Sequence, residues 1–270
     1  MLALAMLSAA PAHAEPSVAE RVHAVHAAHA RHRDRLREIS ALFLGARYRL
    51  SPLGEGPNGT IDRDPIIAFD RFDCVTYVEE MMALAWQDDI DAATALLQKI
   101  RYEQGEIRYG ARHHLMIAQW LPRNIQAGFV RDVTREVAGA ATKSAVLVLD
   151  DRDFTSTAGK KLALDRADRP LGRYSVPIVP VAHMPRVLAR VPDGTIVTTV
   201  RARRAGVPYR ETHVGLVVWK GGAPFIRHAH VGRGRVIEEP LSRFVARAAR
   251  AKRWPVTGFH LAAINEAPPL

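Results

Sequence analysis

Cys74 is the only cysteine of the 270-residue chain, and it opens a helical pattern. Asp73 before it is an N-cap type, and apolar residues recur at 74, 78, 81, 82 and 85, the period of a helix. A thiol in a first helical turn meets the positive end of the helix dipole, which favours the nucleophilic thiolate. A lone cysteine has no internal disulfide partner, so its chemistry would be that of a free thiol; the same residue also suits a small buried apolar position. A thiolate needs a base for its proton, and the base needs an orienting group. Histidines of the β-rich C-terminal half qualify. His213 opens the run Thr212–Val218, and His228 and His230 close the run Phe225–His230. Lys220-Gly221-Gly222-Ala223 between them reads as a hairpin turn. The open end of that hairpin brings His213 beside His228 or His230, and strand alternation puts these last two on one face.

The elements that must position these groups follow from periodicity and breakers. Residues 17–47 predict a helix with a row of histidines at 23, 26, 29 and 32, which rotates around the helix and reads as a solvated face. Residues 51–60 are a Pro/Gly loop. The Cys74 helix follows, then a second from about Asp89 to Glu103. Residues 104–127 carry Tyr109, Arg112, His113, His114, Trp120 and Asn124 in a helix or loop near a cleft. Val133–Ala138 and Ser144–Leu149 predict strands, and 151–169 an exposed helix or loop. From Val176 the pattern is β: Ile178–Val181, Thr195–Val200, His213–Trp219, Pro224–His228 and a last strand Val256–Ile264, with an Arg-studded amphipathic helix over Leu241–Ala251. Helices first and strands last argue an α+β fold. A helix N-terminal Cys facing a hairpin His with a second polar group behind it is the papain-like layout in physical terms.

Here a resemblance becomes specific. Phe72-Asp73-Cys74-Val75-Thr76-Tyr77-Val78-Glu79, Arg112-His113-His114 with Trp120 and Asn124, Gly194-Thr195-Ile196-Val197, Thr212-His213-Val214-Gly215 and His228-Ala229-His230 together resemble the DUF1460 family, described as N-acetylmuramoyl-L-alanine amidase-like, within the NlpC/P60 group of papain-like cysteine hydrolases. The likeness runs from about residue 38 to 262. It implies Cys74 as nucleophile, His213 as general base and His228 as orienter, with an antiparallel sheet or barrel carrying the His. It implies a single domain over 15–270, an insertion at about 100–175 shaping the cleft, no cofactor, and a peptidoglycan or muropeptide substrate. Arg112, His114, Trp120, Asn124 and His230 would bind that sugar-peptide, with Arg for a carboxylate and Trp for a sugar face. A stem-peptide endopeptidase or an acyltransferase fits the same fold; a non-catalytic cell-wall binding protein is the reading from another class. Glu79 and Glu80 on the Cys helix suit salt bridges with a basic surface better than catalysis, and no second placed acid supports a glycosidase.

Composition bounds the rest. A 48% hydrophobic content suits a full core, and the +10 charge comes from 38 Lys+Arg against 28 Asp+Glu. No helix-turn-helix, zinc-finger or aromatic RNA-platform pattern accompanies the charge, so nucleic acid is not an expected partner. Leu2–Ala10 is a short apolar run ending at Ala12-His13-Ala14, an Ala-x-Ala cleavage pattern with the cut expected after Ala14. No Lys or Arg precedes the run. The expected mature protein is periplasmic, without an integral membrane segment.

Overall fold

The computed structural model describes residues 15–269; the expected leader over 1–14 lies outside them. Two helices, α1 (Val18–Ala28) and α2 (His32–Leu42), replace the single helix expected over 17–47. Ser17 and Glu20 cap α1 reciprocally, and the chain turns extended at His29. The histidine row faces inward in part. His26 Nε2 donates to the Leu84 carbonyl at 2.8 Å, and His32 is buried, its ring stacked on Trp86 with centroids 5.1 Å apart. Among the described residues no three His, Cys, Asp or Glu side chains converge as a metal site requires.

The Cys helix, α3 (Cys74–Trp86), starts where the sequence predicts. Asp73 Oδ1 accepts from the N–H groups of Val75 and Thr76, and the Thr76 hydroxyl accepts from the Asp73 N–H. From Thr76 onward every residue is buried, so α3 is enclosed on all sides instead of showing one apolar stripe. It packs between α2, α4 (Ile90–Arg101) and the sheet. Cutting Met81 or Leu84 back to Ala would cost about 2–5 kcal/mol each, because both are fully enclosed.

The sheet contains β1 (Arg47–Tyr48), β2 (Arg71–Phe72), β3 (Val130–Asp132), β4 (Lys143–Leu149), β5 (Gly172–Pro180), β6 (Thr195–Arg201), β7 (Glu211–Lys220), β8 (Ala223–His230), β9 (Arg235–Pro240) and β10 (Val256–Ile264). Its order is β2-β1-β9-β8-β7-β6-β10-β5-β4, with β3 paired to β10, and every pairing but β1–β2 is antiparallel. Gly221 and Gly222 both have positive φ (55° and 77°), as the tight turn of the β7–β8 hairpin needs. The stretch expected as strand Val133–Ala138 is instead helix α6 (Thr134–Ala138). The Asp132 carboxylate accepts from the Thr134 N–H at 2.8 Å and ends β3, and Val133 and Val137 then share one buried helical face. The remaining helices are α5 (Leu121–Ala127), α7 (Asp151–Thr155) and α8 (Leu241–Ala249).

Two cores flank the sheet. Val214, Leu216 and Val218 of β7 face the core of α3, while Val217 and Ile226 face a second core with Phe244 and Val245 of α8. The fold is α+β. Among the described residues no helix is long and apolar enough to cross a membrane.

Candidate active site

Alternation along β7 sends the Val214 side chain toward the core of α3, while the His213 ring lies 5.9 Å from that of Phe244 on α8. His213 lies near the start of β7. There Cys74 and His213 line one cleft of about 420 Å³, with Tyr48, His114, Glu211 and Trp254 around them. The backbone N–H groups of Val214, Cys74 and Val75 near the Cys74 sulfur favour its ionised form. Burial, with the Asp73 carboxylate next to it, nonetheless pushes the thiol up to about 12. This corrects the expectation from the helix dipole: desolvation outweighs it, and the resting group is a thiol.

His213 Nε2 lies 2.6 Å from His228 Nδ1, and His228 Nε2 lies 3.1 Å from Glu239 Oε1. Arg247 Nη1 donates to Glu239 Oε2 at 2.7 Å, and its Nη2 donates to Oε1. Burial would raise the Glu239 carboxyl, but the Arg247 hydrogen bonds and charge hold it below the ordinary range. Burial lowers His228 to about 4 despite Glu239, and burial with the nearby His228, His230 and Arg247 lowers His213 well below 6.5. Both rings are therefore neutral at pH 7, and the carboxylate dictates their protons. Glu239 only accepts, so His228 carries its hydrogen on Nε2 and offers a bare Nδ1. His213 then donates from Nε2, which leaves its Nδ1 as a lone pair with no proton of its own. A base with that tautomer is what a thiol in the cleft requires.

Sequence reasoning left His228 and His230 open as partners of His213. The hydrogen bond to His213 comes from His228. His230 lies with its ring centroid 5.3 Å from that of His228, and its Nδ1 accepts from the Arg233 N–H. Glu239 and Arg247 were missed. Glu239 sits on β9, which the sequence reading did not assign, and only the β8–β9 pairing carries it to His228.

The proposed binding set divides. His114 lines the cleft; its Nε2 donates to the Tyr109 carbonyl at 2.7 Å, and burial lowers its ring to about 4. Arg112 is committed to the carboxylates of Glu55 and Asp62, the latter at 3.0 Å, so its charge is already matched. Trp120 and Asn124 are corrections. Trp120 is 1% exposed and donates its indole N–H to Glu79 at 2.8 Å; Asn124, equally buried, donates to the carbonyls of Ile100 and Trp120. Neither offers a face to a ligand. The salt bridge expected of Glu79 and Glu80 forms for Glu79, 3.5 Å from Arg101, but its location is corrected: Glu79, Glu80 and Arg101 are all buried and not at a basic surface. Burial raises Glu79 to about 7 and Glu80 well above 4.5. The stretch 100–175 supplies the cleft wall at His113, His114, Met116 and Leu162.

A family model described as AmiA-like, N-acetylmuramoyl-L-alanine amidase-like, matches residues 38–251. Among solved structures, the chain is similar to a Legionella pneumophila (strain Philadelphia 1) protein of family DUF1460, at 23% identity and a TM-score of 0.82, covering 93% of this chain and 94% of that one. It is also similar to a structure named as an N-acetylmuramoyl-L-alanine amidase of Bacteroides uniformis, at 20% identity and a TM-score of 0.67, covering 92% and 99%. No curated protein matches the sequence. At these identities the structural likenesses establish the fold.

Proposed function

The chain belongs to the N-acetylmuramoyl-L-alanine amidase-like family, and from that premise we propose that it is a cysteine amidase of peptidoglycan fragments with a papain-like, NlpC/P60-type site, acting in the periplasm. The observation that carries the reading is the hydrogen-bonded line from Glu239 through His228 to His213, which ends at the cleft that Cys74 lines. In the reaction Cys74 Sγ attacks the amide carbon while its proton passes to His213 Nδ1. A resting thiol and a neutral imidazole suit a transfer that accompanies attack, because desolvation disfavours both ions. The Asp73 cap engages the N–H groups of Val75 and Thr76 and not that of Cys74, which would donate to the developing oxyanion. Collapse breaks the C–N bond, the His213 proton goes to the departing amine, and a thioester remains. Water, deprotonated by His213, then cleaves the thioester to a carboxylic acid and restores the thiol.

Digestion of purified muropeptides, read by mass spectrometry, tests this. Cleavage at the lactoyl–alanine amide releases intact free stem peptides, and Cys74→Ser should release none. Truncated muropeptides would assign a stem-peptide endopeptidase instead. Unchanged muropeptides with sacculus binding retained would assign a binding protein. The periplasmic location is tested by N-terminal sequencing of protein from the native envelope, where a chain beginning near Glu15 is expected.

A further inference from the structure

Many surface cations of this protein are matched by carboxylates: Arg203 by Asp153, Arg49 by Asp64, Arg108 by Asp168. Beside the cleft the pattern changes. Arg201, Arg204, Lys252 and Arg253 line a hollow of about 540 Å³ together with Thr212 and Trp254, and no Asp or Glu is among its lining residues. Arg201 is held by neutral groups, its Nε donating to the Thr212 hydroxyl at 2.8 Å and its Nη1 to the Trp254 carbonyl. The guanidinium groups of Arg201 and Arg204 lie 5.7 and 5.9 Å from the Trp254 ring, which is pinned by its own N–H to the Ala202 carbonyl. Thr212 and Trp254 also line the Cys74 cleft, so hollow and cleft form one continuous surface. Across the cleft the wall includes Tyr48, Leu50 and Leu162.

Four like charges gathered without a counter-charge repel one another and are organised for an anion. The substrate class named above divides its charge in the same way. The muramyl half has its lactyl carboxyl tied up in the amide, whereas the free carboxylates belong to the stem peptide that departs as the amine. We propose that the shelf formed by Arg201, Arg204, Lys252 and Arg253 is the subsite for the carboxylates of the departing peptide, and that it sets the direction in which the substrate lies, peptide toward Trp254 and sugar toward Tyr48 and Leu50. This rests on the amidase reading and adds to it a specificity for acidic peptides.

The test is the triple variant Arg204→Gln/Lys252→Gln/Arg253→Gln, three exposed positions outside the catalytic groups. Its kinetics are measured on a muropeptide with free stem carboxylates and on the same muropeptide with them amidated. The wild type should prefer the free acid. The variant should raise KM for the free acid about tenfold, keep kcat within about twofold, and show no preference. A second arm uses calorimetry of the free acidic stem peptide with Cys74→Ser protein, with and without the triple substitution. Loss of binding with the triple substitution supports the shelf even if no muropeptide is ever hydrolysed, which would sink the amidase reading alone. An unchanged KM and preference in the triple variant would overturn the proposal. So would displacement of the peptide by a single-stranded oligonucleotide of much higher affinity, which would assign the surface to nucleic acid.

Discussion

Glu239→Gln changes one atom and should reverse the protons of the whole line. Arg247 donates to both Glu239 oxygens. In the variant those donors claim the single carbonyl oxygen, so the amide NH2 turns toward His228 Nε2. That nitrogen then has to accept, and the His228 hydrogen moves to Nδ1. His213 Nε2 becomes an acceptor in turn, and its hydrogen moves to Nδ1, the position meant to receive the thiol proton. The base is present but in the wrong tautomer. In serine-protease triads that error costs about 10⁴-fold in kcat; here the change sits one residue further from the nucleophile, so a loss of about 10²- to 10⁴-fold in kcat/KM is expected, about 3–5 kcal/mol of barrier. The assay is release of free stem peptide by purified variants whose melting temperatures match the wild type. Adding Arg247→Ala to Glu239→Gln should recover part of the rate, because the amide is then free to present its oxygen to His228. A Glu239→Gln enzyme with more than half the wild-type rate would refute the tautomer argument.

Other expectations follow from the same structure. With the Cys74 thiol near 12, inactivation by iodoacetamide should be slow at pH 7 and climb about tenfold per pH unit to pH 9; a pH-independent rate would mean a preformed thiolate. His32, buried against Trp86 and lowered by burial to about 4, stays neutral in the fold while its unfolded counterpart takes a proton below about 6.5. Wild-type stability from this group is therefore full above 6.5 and falls as pH drops toward 4, so His32→Phe should gain about 2 kcal/mol on the wild type between pH 7.5 and pH 5 in parallel denaturant melts; an equal difference at both pH values would contradict this. Trp120→Phe removes the hydrogen bond to buried Glu79 and should destabilise the fold by about 1–3 kcal/mol with KM unchanged, whereas a raised KM would restore a binding role for Trp120.

Local signals were legible where one element carries its own code. The Asp73 cap and apolar period mark α3, two glycines mark the β7–β8 turn, and a β-branched run marks β6. The α6 segment misleads because Val133 and Val137 raise β character, while the Asp132 turn that closes β3 decides the outcome. Strand β9 went unread because Glu238 and Glu239 break its apolar pattern, and each finds its cation only across the fold: Arg227 from β8 and Arg247 from α8. For the same reason the site was half legible. Cys74, His213 and His228 stand out as types, but the carboxylate that fixes their protons depends on a strand pairing. Trp120 and Asn124 show the opposite failure. Their types suggest a sugar site, and only tertiary packing reveals that they are enclosed.

Hydrolysis of a muropeptide in water enriched with heavy oxygen tests the central claim most directly. Amide cleavage through a Cys74 thioester predicts the label in the lactyl carboxylate of the muramyl product, an unlabelled and intact stem peptide, and no reaction with Cys74→Ala. Label in a carboxylate newly formed within the stem peptide, or labelled product from Cys74→Ala, would contradict it.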